Sequence, residues 1–307
     1  MDIFLQQLIN GVVLGSIYSL VALGYTMVYG ILELINFAHG EILMIGAMVA
    51  LTVTQMLAGS GLPGPLIVLA GLAVAIPVCM AVAFTIERVA YRPLRHAPRL
   101  APLITAIGVS ILLQNLAAII WGKQYIPMSG VLTVKPFQIG GATMTNLQVF
   151  IVLLSAALMA GLLLIVNKTR LGRAMRATAQ NREVAGLMGV DINSIISITF
   201  MLGAAMAAVA GVMVMSYYSQ AHYYMGFMLG LKAFTAAVLG GIGNLGGAML
   251  GGLLLGVIES LGAGYIGDLT GGFLGSNYQD IFAFLVLIMV LIFRPSGLLG
   301  ESGAERA

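Results

Sequence analysis

The sequence predicts an all-α polytopic membrane protein with eight to nine transmembrane helices. Three observations carry that expectation. Of 307 residues, 60% are hydrophobic and only 8% are charged, where a soluble domain carries about a quarter. Apolar runs recur at lengths near the roughly 20 residues that cross a bilayer. Cations gather in two of the intervening loops, as the asymmetric distribution of Lys and Arg across membranes demands.

The spans follow in order. The first is predicted over Leu8–Tyr29; its flank MDIFLQQ has no basic stretch and no small-residue cleavage site, so it is expected to be retained as a span. A polar hinge, Glu33 to Glu41, leads to the second, Ile42–Leu57. A Gly/Pro turn (Gly59, Gly61, Pro63, Gly64, Pro65) precedes the third, Leu66–Val89, and the fourth covers Pro102–Trp121. The polar segment Gly122–Asn146 separates it from the fifth, Leu147–Val166. After the hydrophilic segment Asn167–Asn193 come the sixth, Ile195–Tyr217, and a short glycine-broken seventh, Leu229–Leu245. The eighth covers Met249–Tyr265 and the last Ile281–Phe293. The count is nine, or eight if the broken segment does not cross. All 307 residues are read as one membrane domain.

Charge placement orients the chain. Arg88, Arg92, Arg95 and Arg99 lie between spans three and four, and Lys168, Arg170, Arg173, Arg176 and Arg182 between five and six. Both loops are therefore read as cytoplasmic. Counting spans puts the N-terminus outside and Arg294 and Arg306 inside. Tyr217, Tyr218, Tyr223 and Tyr224 then fall at an outer interface, where aromatic side chains suit the headgroup level.

The same composition excludes whole function classes. So few charges cannot cover a soluble surface, and a nucleic-acid binder needs clustered cations on an aqueous face. The single cysteine, Cys79, sits in an apolar run and reads as a small buried hydrophobe. His39 and Glu41 are two candidate ligands, but the other histidines, His96 and His222, are distant, so no metal site is expected. Gly241-x-Gly243-x-x-Gly246 matches a dinucleotide fingerprint by letter, yet it lacks the strand and the βαβ unit that motif needs. It reads as a helix break with close packing, together with Gly247-x-x-x-Gly251 and Gly252-x-x-x-Gly256. No phosphate-cradling Gly-x-x-x-x-Gly-Lys-Ser/Thr run occurs, so ATP hydrolysis is not expected from this chain.

The most informative segment is GRAMRATAQNREVAGLMGVDI, Gly172–Ile192. It is too polar to cross. Ala177, Asn181, Ala185 and Gly189 recur every four residues, which on one helix makes a single small-residue stripe. Such a stripe admits another backbone closely, while Arg173, Arg176 and Arg182 can meet acidic groups. The expectation is a cytoplasmic coupling helix within a loop of about 168–193; the alternative is a basic loop lying at the headgroups. Asn36, His39 and Glu41 in the hinge INFAHGEI either line a pathway or gate or satisfy one another in a polar turn. Gly240, Gly241 and Gly243 are pathway candidates at the second helix break. Lys232 and Glu259, isolated in apolar surroundings, are expected to pair with each other, since ions within membranes are costly alone. Glu33, Glu87 and Asp280 are expected at interfacial span ends.

These stretches carry a resemblance. Arg176-Ala-x-x-x-x-Asn181-x-x-x-Ala185-x-x-x-Gly189-Val190 resembles the coupling loop of permease subunits of ABC importers for branched-chain amino acids. Gly24–Ala47 (GYTMVYGILELINFAHGEILMIGA), Lys232–Glu259 and the terminal FRPSGLLG, Phe293–Gly300, are similar to that family's other signatures. The match is closest to the first of that system's two permeases and runs from about residue 10 to residue 300. The resemblance implies an inner-membrane subunit that pairs with a second homologous permease, two ATP-binding subunits that hold ATP-Mg, and a periplasmic binding protein, with no cofactor on this chain itself. Gly172, Arg173, Arg176, Ala177, Asn181, Ala185 and Gly189 would carry the coupling. Leucine, isoleucine or valine would be the substrate; relatives that move urea or short amides share the scaffold. A stand-alone secondary transporter or channel is disfavoured by the scarcity of carboxylates within the spans, and no converging catalytic groups support an intramembrane enzyme.

Overall fold

The structure, a computed structural model, describes residues 2–98, 100–128, 130–273 and 278–300. Arg99 and Arg306, two of the cations that orient the chain, lie outside the described residues. The helices are α1 (Asp2–Leu32), α2 (His39–Leu57), α3 (Gly64–Ile86), α4 (Leu100–Trp121), α5 (Asn146–Lys168), α6 (Arg170–Gln180), α7 (Arg182–Leu187), α8 (Ile192–Tyr218), α9 (Met225–Gly240), α10 (Leu245–Leu269) and α11 (Gln279–Phe293). Four short strands join them: β1 (Ile126–Pro127), β2 (Pro136–Ile139), β3 (Ala142–Thr145) and β4 (Gln220–Ala221). The chain is thus an all-α polytopic membrane protein, with every anticipated span present as a helix.

Among the described residues, seven helices are long and apolar enough to cross a bilayer. The other two apolar helices, α9 and α11, have 16 and 15 residues. At 1.5 Å per residue they rise about 24 and 22 Å, short of a hydrocarbon core about 30 Å thick. The third span runs on beyond its expected end, through a π-helical turn at Glu87–Tyr91 and a 3-10 turn at Arg92–Leu94.

The chain groups into two compact units, each assembled from non-contiguous segments; three of their four boundaries fall inside α1, α5 and α9 and the fourth in the loop between β1 and β2. The first comprises residues 1–26, 134–159 and 232–307. In it α10 carries two small-residue faces. Gly252 and Gly256 meet Gly15 and Ser19 of α1, and a Cβ on Gly15 would stand 2.7 Å from Leu253 Cα. Gly247 and Gly251 meet Gly240 and Ala236 of α9. A one-residue offset turns the second face by about 100° from the first, so one helix packs backbone-close against two neighbours. The hairpin β2–β3 turns on Gly140-Gly141, with φ +57° and +93°, values that a two-residue hairpin turn of this hand requires. Gln6 of α1 grips its edge, donating to the Thr143 carbonyl (3.0 Å) and accepting from the Thr143 N–H (2.8 Å).

The second unit comprises residues 27–133 and 160–231. Its core is α2, α3 and α8 in mutual contact. Gly46 faces Ala208, Gly211 faces the Leu43 carbonyl, and Gly71 faces Ala50. Between lipid-solvated helices packing must replace the hydrophobic effect, and small residues allow it. The Cys79 thiol is buried and donates to the Ile42 carbonyl at 3.3 Å. α4 is tied to α2 by polar contacts, one of them Trp121 Nε1 to Thr52 Oγ1 at 2.8 Å. β1 pairs antiparallel with β4.

Candidate functional site

The hinge between α1 and α2 lies in the second unit. α1 ends where Glu33 takes a left-handed φ of +54° and donates its N–H to the Tyr29 carbonyl at 2.7 Å. Asn36 then closes a side-chain turn: its Oδ1 accepts from Ala38 N–H (3.1 Å) and from the Tyr91 hydroxyl (2.6 Å). His39 opens α2 and is buried. Glu41 is fully buried, and its Oε1 accepts from Ser110 Oγ at 3.0 Å and Gln114 Nε2 at 2.7 Å, both on α4. Gly40 abuts Gly226 and Gly230 of α9 with no room for a Cβ, and Glu41 Oε2 faces Gly226. Ser110 and Gln114 were missed in the sequence, although two polar residues one turn apart in the apolar run of α4 are a legible signal.

The other pathway candidates, Gly240, Gly241 and Gly243, lie in the first unit, at the turn between α9 and α10. Gly241 and Gly243 hold φ of +108° and +97°, which glycine adopts at no steric cost. The terminal stretch FRPSGLLG finishes this turn. Leu298 and Leu299 donate N–H groups to the Leu239 and Gly240 carbonyls at 2.8 and 3.0 Å, so the orphan carbonyls ending α9 are satisfied. Asn244 caps α10 by accepting from Gly247 N–H (2.9 Å) and donates to the Leu299 carbonyl (2.9 Å).

Lys232 and Glu259 meet in the first unit: Nζ lies 2.7 Å from Glu259 Oε1. The pair is larger than the sequence indicated. Asp280 Oδ1 is 2.6 Å from the same ammonium, and the Tyr18 hydroxyl donates to Glu259 at 3.0 Å. Four helices, α1, α9, α10 and α11, converge on one cation, two carboxylates and a phenol. Asp280 was expected at an interface with no role; its side chain is partly exposed but turned onto Lys232. Nothing local in the sequence marks it, because its partner is 48 positions away.

Glu87 departs further from expectation. Placed at an interfacial span end by its sequence position, it is fully buried. The π-helical turn directs it inward, where it accepts from Arg92 (3.0 Å) and Ser197 Oγ (2.7 Å) and pairs with Arg95. Two guanidiniums and a hydroxyl supply the donors that a buried carboxylate needs.

The segment Gly172–Ile192 is not one helix. It forms α6 and α7, broken at Asn181, whose backbone is extended (φ −156°, ψ 109°) while its side chain caps α7 by accepting from Val184 N–H at 3.0 Å. A residue that can cap competes with helix continuation, and here capping wins. The small-residue stripe therefore does not exist as a continuous face. Ala177 is half-buried on α6 and Asn181 is the exposed break. Ala185 is buried, and Gly189 lies beyond the end of α7 with φ +88°. Gly172 is buried in the first turn of α6, against the Ile165 and Val166 carbonyls. Of the arginines, Arg173 is exposed, Arg176 reaches the Val166 carbonyl, and Arg182 donates twice to the Ile31 carbonyl at 3.0 and 2.5 Å. Beside these exposed polar residues, two large apolar side chains at the end of α7 also face outward: Leu187 is 87% and Met188 80% exposed.

Apolar spanning helices, buried ionic clusters between them and a capped polar helix pair outside them define the chain as a polytopic membrane protein with the architecture of a transport subunit. The family described as branched-chain amino acid transport system, permease component, matches residues 7–291, and the chain belongs to it. The chain is 47% identical to the high-affinity branched-chain amino acid transport system permease protein BraD of Pseudomonas aeruginosa, over 99% of this chain and 98% of that protein. It is 44% identical to the corresponding LivH of Escherichia coli K12, over 99% and 97%. It is 28% identical to the probable branched-chain amino acid transport permease protein LivH of Methanocaldococcus jannaschii, over 97% and 94%.

Proposed function

We propose that this chain is the permease subunit of an ATP-driven importer that carries leucine, isoleucine and valine across a bacterial inner membrane. Its N-terminus is periplasmic and its C-terminus cytoplasmic in this reading. It works with a second homologous permease, two cytoplasmic ATP-binding subunits that hold ATP-Mg, and a periplasmic binding protein. The names of its relatives support the substrate class.

The observation that carries the coupling part is the pair α6–α7. Each helix begins at a side-chain cap, Thr169 and Asn181. Arg182 fastens the pair to the end of α1 through the Ile31 carbonyl, and Leu187 and Met188 stand exposed. Exposed large apolar side chains held on a capped helix suit contact with a protein partner. An ATP-binding subunit that grips Leu187 and Met188 would pull on α1 through Arg182. Coupling then rests on the tip of α7, with Arg173 nearby in sequence and Gly189 supplying the turn; Ala185, buried, supports the tip from within. In the same reading Asn36, His39 and Glu41 in the second unit are polar points, and Gly240, Gly241 and Gly243 in the first unit are glycine-broken points, each a candidate place where a zwitterion can be gated. The Lys232–Glu259 pair holds together the helices of the first unit that carry it.

The test is co-purification from mild detergent. Leu187→Asp with Met188→Asp is expected to release the ATP-binding subunits while the permease stays inserted, and Leu187→Met to retain them. Full retention and normal leucine uptake in the doubly substituted chain would overturn the assignment.

A further inference from the structure

We propose that a cleft of about 460 Å³ between α3 and α8 is a binding site for an anionic phospholipid. The cleft lies wholly within the second unit. Spacing along both helices grades its lining. On α3 and its π-helical extension, Phe84, Arg88 and Arg92 follow one another at intervals of four; on α8, Ser194, Ile198 and Met201 follow at four and three. The cleft is therefore cationic and hydroxylic at the helix ends and apolar along the spans.

The polar end has unused capacity for an anion. Arg88 makes no ion pair among the described residues; its guanidinium stands 5.8 Å from the centre of the Phe84 ring. Arg92, half-exposed, shares Glu87 with Arg95, so two cations already serve that one carboxylate. The one acid on the cleft wall, Asp191, is turned onto the start of α8, accepting from Ser194 Oγ (2.5 Å) and the Asn193 N–H (3.1 Å). A free phosphate would meet only the arginine end and leave Phe84, Ile198 and Met201 bare. A phosphodiester attached to acyl chains satisfies both ends, and basic pockets between membrane helices take such headgroups.

The test uses the full chain purified with its co-expressed partners and native mass spectrometry in the presence of phosphatidylglycerol or phosphatidylcholine. Phosphatidylglycerol should remain bound where phosphatidylcholine is lost. Arg88→Gln should lower its retention about fivefold, as expected for one cation at a headgroup, and Arg88→Lys should largely restore it. Inorganic phosphate in excess should not displace the lipid. Equal retention of the two lipids, an unchanged Arg88→Gln, or displacement by phosphate alone would each overturn the proposal. If Arg88→Gln does not fold, the comparison of lipids on the unaltered chain decides it.

Discussion

Gly15→Ala sets two physical effects against each other, and the structure decides the sign. Replacing a mid-helix glycine with alanine gains up to about 1 kcal/mol of helix propensity. At Gly15, however, the new Cβ would lie 2.7 Å from Leu253 Cα, 2.9 Å from Leu253 O and 3.0 Å from Gly252 O. All three neighbours are backbone, so no side chain can swing away. Restoring an ordinary carbon–carbon separation of about 3.8 Å needs α1 and α10 to part by about 1.1 Å. Overpacking of this kind costs about 1–3 kcal/mol, and separation also loosens the contacts of Gly11, Ser19 and Gly256 along the same seam. Gly161→Ala in α5 and Gly108→Ala in α4 are the controls, because a Cβ there meets nothing within 4 Å. Thermal melting in one detergent, followed by loss of the monodisperse peak on size exclusion, reads the difference. With about 2–4 °C per kcal/mol, Gly15→Ala should melt at least about 2 °C below Gly161→Ala. Equal melting of the two, or Gly15→Ala above the unaltered chain, refutes the close-packed seam.

The charged cluster of α1, α9, α10 and α11 predicts an order. Lys232→Met leaves Glu259 and Asp280 both uncompensated, at a cost of about 3–5 kcal/mol by analogy with broken buried pairs; Glu259→Gln still leaves Lys232 matched to Asp280 and should be milder in both melting and leucine uptake. Asp191 predicts a pH effect. The Ser194 hydroxyl, then the Ser194 and Asn193 N–H groups, hold its carboxyl below the usual carboxylate value, so its cap on α8 is complete above the unfolded pKa and is lost as pH falls through the folded one. The melting difference between the unaltered chain and Asp191→Ala should accordingly shrink in acid, and a gap that stays constant would contradict the cap. Gln114→Leu removes the 2.7 Å donor to buried Glu41 and leaves Ser110 as the donor on the same oxygen; a hydrogen bond to a charged group contributes about 1.5–3 kcal/mol, so this variant should melt below the unaltered chain, and equal melting would contradict the contact.

The sequence by itself determined the class, because insertion into lipid is governed by summed hydrophobicity over about 20 residues and by loop cations, both of which are local sums. The seven long apolar helices among the described residues were legible for that reason, whereas the lengths of α9 and α11 were not. Lys232 and Glu259 were legible as partners because lone charges in apolar runs stand out and must be answered. Tertiary structure alone decided what else answers them. Asp280 and Tyr18 join from helices far along the chain, and Glu87, which looked interfacial, is turned inward by a π-helical turn that leaves no mark in composition. Likewise Gly252-x-x-x-Gly256 announced close packing but not its partner, since small residues state that a backbone approaches without stating which. The coupling segment shows the limit most clearly. Its four-residue stripe assumed one helix, and Asn181 broke it, because a cap and a helix interior compete for the same side chain and only the surrounding contacts, such as Arg182 on Ile31, select between them.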